Sequence, residues 1–410
     1  MELLKGNAVV GQSGGPTAAI NATLSGVIRG ALRAKRNGVI DKLYGMRNGI
    51  EGFLKENLVD LTEIFAEGEG LSILEQTPAA ALGSCRKKMK SPKDDPETYN
   101  KLLDIFKKYN IRYFFYIGGN DSMDTVSKLS VYAKECGYDM RVVGVPKTID
   151  NDLAATDHTP GFGSAAKYVA TTMKEILRDA SVYTLDAVTI VEIMGRDAGW
   201  LTASAALTSI SGDDVADLIY LPEKPFDKEE FLASVRAALK KHPAVVVAVS
   251  EGIRYKDGSY VGASDNKTDA FGHVRLSGAG KVLEWLVSDE IGCKVRSIEL
   301  NLPQRAAGHL LSRCDVLESV GVGMGAVRAA TDGKTGVMMT INRIPGEEYS
   351  SEIGFFDISS IANAVRKVPD EYINEAGNGI TEAGINYLKP LIMGEIDVVY
   401  ENGLPKHIKL

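Results

Sequence analysis

Five short apolar runs dominate this chain. They are Ala8–Val10, Tyr113–Ile117, Val142–Val145, Ala187–Ile193 and Ala244–Val249. None keeps a strict apolar–polar alternation. A strand with one wet face alternates, whereas a strand buried on both faces does not. The runs therefore predict an α/β protein with parallel sheets covered by helices. Helical spacing follows several of them: Ile20, Leu24, Val27, Ile28 and Leu32 within Ala18–Arg36, then Asp121–Lys134, then a small-residue helix over Gly199–Leu207. Each run ends in a loop rich in glycine or charge. In such sheets ligands collect beyond the carboxyl ends of the strands. The five loops are therefore expected to share one site.

A chain of 410 residues is too long for one ordinary core and implies two lobes. Its 47 basic and 54 acidic residues leave a net charge of −7, against a general nucleic-acid binder. Cys85, Cys136, Cys293 and Cys314 form no CxxC pair, so neither a zinc site nor a disulfide framework is expected. Met1 to Lys5 lacks the apolar core of a secretory signal. No apolar run reaches the roughly 18 residues a bilayer requires. A cytoplasmic protein without membrane contact is expected. The five histidines show no ligand spacing.

Two loops carry the chemistry. Gly118-Gly119-Asn120-Asp121-Ser122 follows one run, and Pro146-Lys147-Thr148-Ile149-Asp150-Asn151-Asp152 follows another. Together they suggest phosphoryl transfer with a divalent cation. Asp150 is the candidate general base, since an attacking hydroxyl must lose its proton. Asn120, Asp121 and Asp152 offer oxygen ligands that suit Mg²⁺. The plainer alternative is that Asp150 and Asp152 cap a turn. Gly14-Gly15 after the first run could offer backbone N–H groups to a phosphate, or could simply turn. Ser84-Cys85-Arg86-Lys87-Lys88, Arg196, Arg296 and Arg305 supply cations, and arginine forks suit phosphate. Lys87, Lys88 and Lys90 read equally as a solvated face. Gly321-Val322-Gly323-Met324-Gly325-Ala326 matches a dinucleotide fingerprint but lacks the strand before it and the acid after it, so it reads as helix packing or a turn. Tyr255–Asp269 reads as a surface loop.

Taken in order, Gly14-Gly15, Leu82-Gly83-Ser84-Cys85-Arg86, Gly118 to Ser122, Pro146 to Asp152, Met194-Gly195-Arg196, Ser250-Glu251-Gly252 and Leu302-Pro303-Gln304-Arg305 resemble the signatures of the phosphofructokinase family. The likeness covers roughly residues 6 to 345 and is closest to the pyrophosphate-dependent branch. ATP-using members typically have GGDGS and PGTIDND at the two acidic loops. Here Asp121 replaces a glycine, which sets a side chain and a charge where a nucleotide's α-phosphate would lie. Lys147 replaces another, which sets an ammonium beside the transferred group.

The resemblance implies two Rossmann-like lobes. Residues 1–162 plus 302–364 would form the pyrophosphate and Mg²⁺ lobe, and 163–301 plus 365–410 the sugar-phosphate lobe and tail. It implies reversible, Mg²⁺-dependent transfer from pyrophosphate to the C1 hydroxyl of fructose 6-phosphate. Asp150, Lys147, Asp152 and Arg196 would be catalytic. Thr148, Met194, Gly195, Glu251, Arg296 and Arg305 would bind the sugar phosphate. Gly14, Gly15, Arg86, Asp121 and Ser122 would bind pyrophosphate, and Asn120 with Asp121 the metal. A homodimer or homotetramer is implied as well. Three positions depart from the family pattern: Asn120 stands for an acid, Leu302 for a histidine and Ala187 for an arginine. They bear on the metal, on the choice of sugar phosphate and on any site shared between subunits. Three rivals stay open: an ATP-dependent phosphofructokinase, a catalytically inactive regulatory homologue and a dinucleotide-binding oxidoreductase. Asp150, Asp152 and Arg196 speak against the inactive form.

Overall fold

The computed structural model describes residues 4–182, 184–212, 215–268, 274–276, 278–360 and 365–410. Its strands run β1 (Gly6–Gln12), β2 (Ile40–Met46), β3 (Leu58–Asp60), β4 (Ile111–Gly118), β5 (Arg141–Pro146), β6 (Ala187–Ile193), β7 (Leu218–Tyr220) and β8 (Ala244–Ser250). A hairpin follows, β9 (Ala263–Thr268) with β10 (Val274–Leu276), and then β11 (Lys294–Glu299), β12 (Val337–Ile344) and β13 (Ser350–Asp357). One sheet has the order β13-β12-β5-β4-β1-β2-β3, and the other β11-β6-β8-β7. The second is parallel throughout. In the first, β3 and β13 at the edges run antiparallel.

Non-alternating runs predict strands covered on both faces, and β4 illustrates why. Tyr113, Phe115 and Ile117 face a core with Leu24, Val27 and Val327. Phe114 and Tyr116 face another with Phe53, Phe106 and Met123. All five are buried, at about 2 kcal/mol each. In the second sheet Val191 and Ile193 of β6 face one core, and Val188 and Ile190 the other.

Helix Ile20–Arg36 packs along helix Arg313–Thr331, which contains the fingerprint-like glycines. A Cβ on Gly26 would stand 2.2 Å from the Val320 carbonyl oxygen, and one on Gly323 2.2 Å from that of Thr23. The glycines allow two backbones to approach, so the helix-packing reading of this motif holds.

Two expectations need correction. Gly199–Leu207 is not one α-helix: Trp200–Ala203 is α-helical and Ser204–Ser211 is a 3₁₀ coil. Hydroxyls of Ser204, Thr208 and Ser209 bond carbonyls three residues back, which favours the tighter coil. Tyr255–Asp269 is not all loop, because Ala263–Thr268 pairs antiparallel with Val274–Leu276. A single apolar residue in that strand left no pattern to read.

The tail touches both lobes. Val368, Ile373, Tyr387, Leu388 and Leu391 join the core of the second sheet. Farther on, Gln76 Nε2 donates to the carbonyls of Val399 and Lys406, and Ile408 N–H donates to Thr77 Oγ1. Arg47 donates to Leu410. The expected grouping of 365–410 with the second lobe thus parts from these contacts beyond Val399. Among the described residues no helix is long and apolar enough to cross a membrane.

Candidate active site

Register sets the site. Ile117 of β4 lies opposite Gln12 of β1 and Val145 of β5, so three strands end together. Their loops emerge side by side. Ile193 of β6 lies opposite Ser250 of β8, which brings Met194 beside Glu251. The two sets of loops enclose a cleft of about 520 Å³. Gly14, Gly15, Asn120, Asp121, Ser122, Lys147, Thr148, Asp150, Asp152, Met194, Arg196, Glu251 and Arg305 line it.

On one side, Lys147 is buried and its Nζ donates to the Gly15 carbonyl at 2.6 Å. A Cβ on Gly15 would stand 3.2 Å from Arg305 Nη1. Gly14 takes a positive φ of 76° and donates its N–H to the Cys85 carbonyl. Ser13 and Ser122 hydroxyls bond each other beneath this turn. Helix Asn120–Glu135 begins here with Gly119 as its N-cap and no side-chain cap. Its first N–H groups and positive dipole end are thus available to an anion.

The acids stand on the same loop as Lys147, close enough to act on its charge. Asp150 N–H donates to Thr148 Oγ1 at 3.1 Å, fixing a tight turn. Burial raises the pKa of Asp150 against the pull of Lys147. Burial also pushes Asp152 up to about 7, helped by Asp150 nearby. Burial lowers Lys147 to about 8, against the attraction of Asp150. On the far wall Glu251 accepts from Gly195 N–H at 3.3 Å, and burial takes it to about 7. Arg196 has its Nε buried without a partner. The arrangement offers a base, anion-binding N–H groups and three cations converging on one space.

Asn120 Nδ2 lies 3.3 Å from Asp152 Oδ2, so the amide meets Asp152. Asp121 stands at the mouth instead, its side chain 55% exposed and 3.5 Å from Lys88 Nζ. No group of three His, Cys, Asp or Glu among the described residues forms a metal cage. The donors that are present, the half-buried Asp152, the exposed Asp121 and an amide oxygen, are hard and few. That suits Mg²⁺, which commonly takes one or two carboxylates and completes its shell with substrate phosphates and water.

One expected residue falls elsewhere. Arg296 does not line the cleft; it sits on β11 opposite Thr189 and lines a separate groove with Ile176, Leu185 and Lys294. It lies several residues before the strand's carboxyl end, too early to reach the loops. Arg86 is exposed and outside the lining, yet its charge depresses Lys147 and Arg305, so it stands near. Gln304, read from sequence only as part of the Leu302–Arg305 signature and given no role, also belongs to the site. It is buried, accepts from Met194 N–H at 3.2 Å and donates to the Asn301 carbonyl. His158, without ligand spacing, lies buried between Asp157 at 2.8 Å and Glu318 at 2.7 Å.

The phosphofructokinase family model matches residues 7–330. The chain belongs to the phosphofructokinase family. A phosphofructokinase-family relative from Halomonas elongata, named pyrophosphate–fructose 6-phosphate 1-phosphotransferase, is 42% identical over 98% of this chain and 96% of its own. A protein of the same name from Xanthomonas campestris is 42% identical over 100% and 97%. Among solved structures, the pyrophosphate-dependent phosphofructokinase of Nitrosospira multiformis superposes with a TM-score of 0.88 at 38% identity, covering 98% of this chain and 96% of that one.

Proposed function

We propose that this phosphofructokinase-family chain transfers a phosphoryl group from pyrophosphate to the C1 hydroxyl of fructose 6-phosphate. The names and full-length coverage of the relatives support this reading. The observation that carries it is Lys147, docked on the Gly15 carbonyl between Asp150 and Arg305. That places an ammonium where a small, dense donor needs charge. Asp121 at the mouth puts a carboxylate where a longer donor would extend.

Asp150 accepts the hydroxyl proton as the sugar oxygen bonds to the terminal phosphorus. The bridging P–O bond breaks, and its electron pair leaves with phosphate. Lys147, Arg196 and the N–H groups of Gly15 and the helix at Asn120 bind the charge that shifts between the oxygens, while Gly14, its N–H committed to the Cys85 carbonyl, shapes the turn that borders the pyrophosphate. Thr148, Met194, Gly195, Glu251 and Arg305 hold the sugar phosphate; Arg86, Asp121 and Ser122 border the pyrophosphate. Asp152 and Asn120 would hold Mg²⁺, with Asp121 nearer the mouth, and the ion would supply charge compensation for the phosphates. The division into a donor lobe and a sugar lobe, a cytoplasmic location and self-association complete the reading, and light scattering tests the last.

Initial rates with Mg²⁺ and either pyrophosphate or ATP test the donor. Product with pyrophosphate alone is expected, with reverse flux from fructose 1,6-bisphosphate and phosphate. Product with ATP alone would refute it. The double change Asp121→Gly with Lys147→Gly should lower pyrophosphate use by about a hundredfold or more and admit ATP.

A further inference from the structure

The dipeptide step between the two acids is unusual. Asn151, between Asp150 and Asp152, is fully buried and takes a left-handed φ of 54°. Asparagine tolerates that conformation better than other side chains, so what marks this residue is its burial and the partners that fix its amide. Its side chain is held at both ends. Asn151 Oδ1 accepts from Thr159 N–H at 3.1 Å, and Asn151 Nδ2 donates to the Tyr387 hydroxyl at 3.3 Å. The Tyr387 hydroxyl donates onward to the Asp157 carbonyl at 2.7 Å and accepts from Arg366 Nη2 at 3.2 Å. It is thus fully used, as acceptor twice and donor once.

Tyr387 belongs to helix Glu382–Leu388, in the tail beyond the residues the family model matches. The same tail grips the loop a second time. Arg366 N–H donates to the Asp152 carbonyl at 2.8 Å, and Val365 bridges Leu153. Two aromatic contacts fix the clamp itself. The Arg366 guanidinium lies 4.3 Å from the Trp200 ring centre and that of Arg343 4.4 Å from the Tyr387 ring centre. Trp200 Nε1 donates to the Arg366 carbonyl at 3.0 Å.

We infer that Tyr387 is a positioning residue: through Asn151 the tail holds Asp150 and Asp152 at the cleft, so the base is placed by a part of the chain outside the matched core. The inference rests on the phosphoryl-transfer reading for its kinetic consequence but not for its structural one. Losing the hydroxyl should let the loop leave its left-handed turn and shift Asp150 and Asp152 most, while Met194, Glu251 and Arg305, which stand on other elements, keep their hold on the sugar phosphate.

Wild type, Tyr387→Phe, Asn151→Ala and the double variant are compared in two measurements on the full chain. In the pyrophosphate assay, kcat of Tyr387→Phe should fall about ten- to a hundredfold, with KM for both substrates within about twofold of wild type. Asn151→Ala, which loses the Thr159 bond as well, should fall at least as far, and the double variant should fall little below Asn151→Ala alone, because the Tyr387 link is then already broken. In hydrogen exchange without substrate, peptides over 147–159 should exchange about tenfold or more faster in each variant, while those over 111–118 stay unchanged. Wild-type kcat with wild-type exchange in Tyr387→Phe overturns the inference, as does a loss confined to KM. If wild type itself makes no product from pyrophosphate, the proposed reaction fails, and the exchange comparison alone decides the inference. Should Tyr387→Phe not fold, Asn151→Ala cuts the same link from the loop side.

Discussion

At the scale of single residues, the cleft sets three half-buried acids against the buried Lys147 and two half-buried arginines, and their titration has a sign. Asp150 must be ionised to accept a proton, and its burial raises its pKa. The forward rate should therefore fall as pH drops into the range where Asp150 and Asp152 take up protons, with Asp152 titrating at about 7. Asp150→Asn should lower kcat by about 10² to 10⁴ while retaining binding of Mg²⁺ and imidodiphosphate by calorimetry. Loss of binding together with rate would show that Asp150 holds ligand rather than a proton. Most of these residues were legible as motifs, because phosphoryl transfer needs few residue types at close spacing. The roles of Gln304 and Tyr387 were not: each residue acts through a bond to a distant main-chain or side-chain group, and neither leaves a periodic trace. Arg296 stands apart from the cleft, and a basic residue near a motif carries no sign of where along its strand it sits.

At the scale of elements, the paired helices Ile20–Arg36 and Arg313–Thr331 approach so closely that a methyl group has no room. Gly26→Ala would put its Cβ 2.2 Å from a carbonyl oxygen. Backbone cannot give way as a side chain tip can. The expected loss is about 2–3 kcal/mol, read as a lower denaturant midpoint with unchanged slope. An unchanged midpoint would mean that the helices separate freely. The long strands were legible because burial on both faces removes alternation. β2, β3, β7, β11, β12 and β13 and the β9–β10 hairpin were not named from sequence. Edge and near-edge strands mix polar with apolar residues, as the exposed Lys294 and Glu299 of β11 do, and this weakens the signal.

At the scale of the whole molecule, an ion cluster joins segments far apart in the chain. His158 lies between Asp157 and Glu318; Glu318 also accepts from Tyr349 and Ser351, and Arg343 bonds Asp157. Burial alone would lower the histidine, but the two carboxylates outweigh it and raise its pKa to about 9. Asp157 and Glu318 are held below the carboxylate range and stay ionised at neutral pH. A raised pKa contributes stability fully present below the ordinary value of 6.5 and lost as pH rises through 9. Asp152 and Glu251 act in the same direction at lower pH, since their stabilisation is spent as pH climbs to about 7. The ligand-free chain should thus melt at lower temperature as pH rises from 6 to 8, and above about 8 the lowered Lys147, whose contribution grows with pH, works against the histidine. His158→Gln should cost about 3–5 kcal/mol and flatten the upper part of that curve. A curve rising across this range would contradict the cluster's charge state. The two-lobe layout was legible from length and loops; the tail's reach across both lobes was not, since short polar segments bond through main chain.

The first sheet takes β12 and β13 from residues that follow the whole second sheet in the chain. Synthesis therefore completes the lobes out of order. When the ribosome has made β11, the second sheet has all its strands, while β5 still presents an open edge and waits for β12. Until residue 344 emerges that edge, and until residue 357 the edge of β12 in its turn, is a template for a neighbouring nascent chain. The interval spent translating the paired glycine helix and its two strands is when this molecule is most exposed to misassociation, and when a chaperone would matter most.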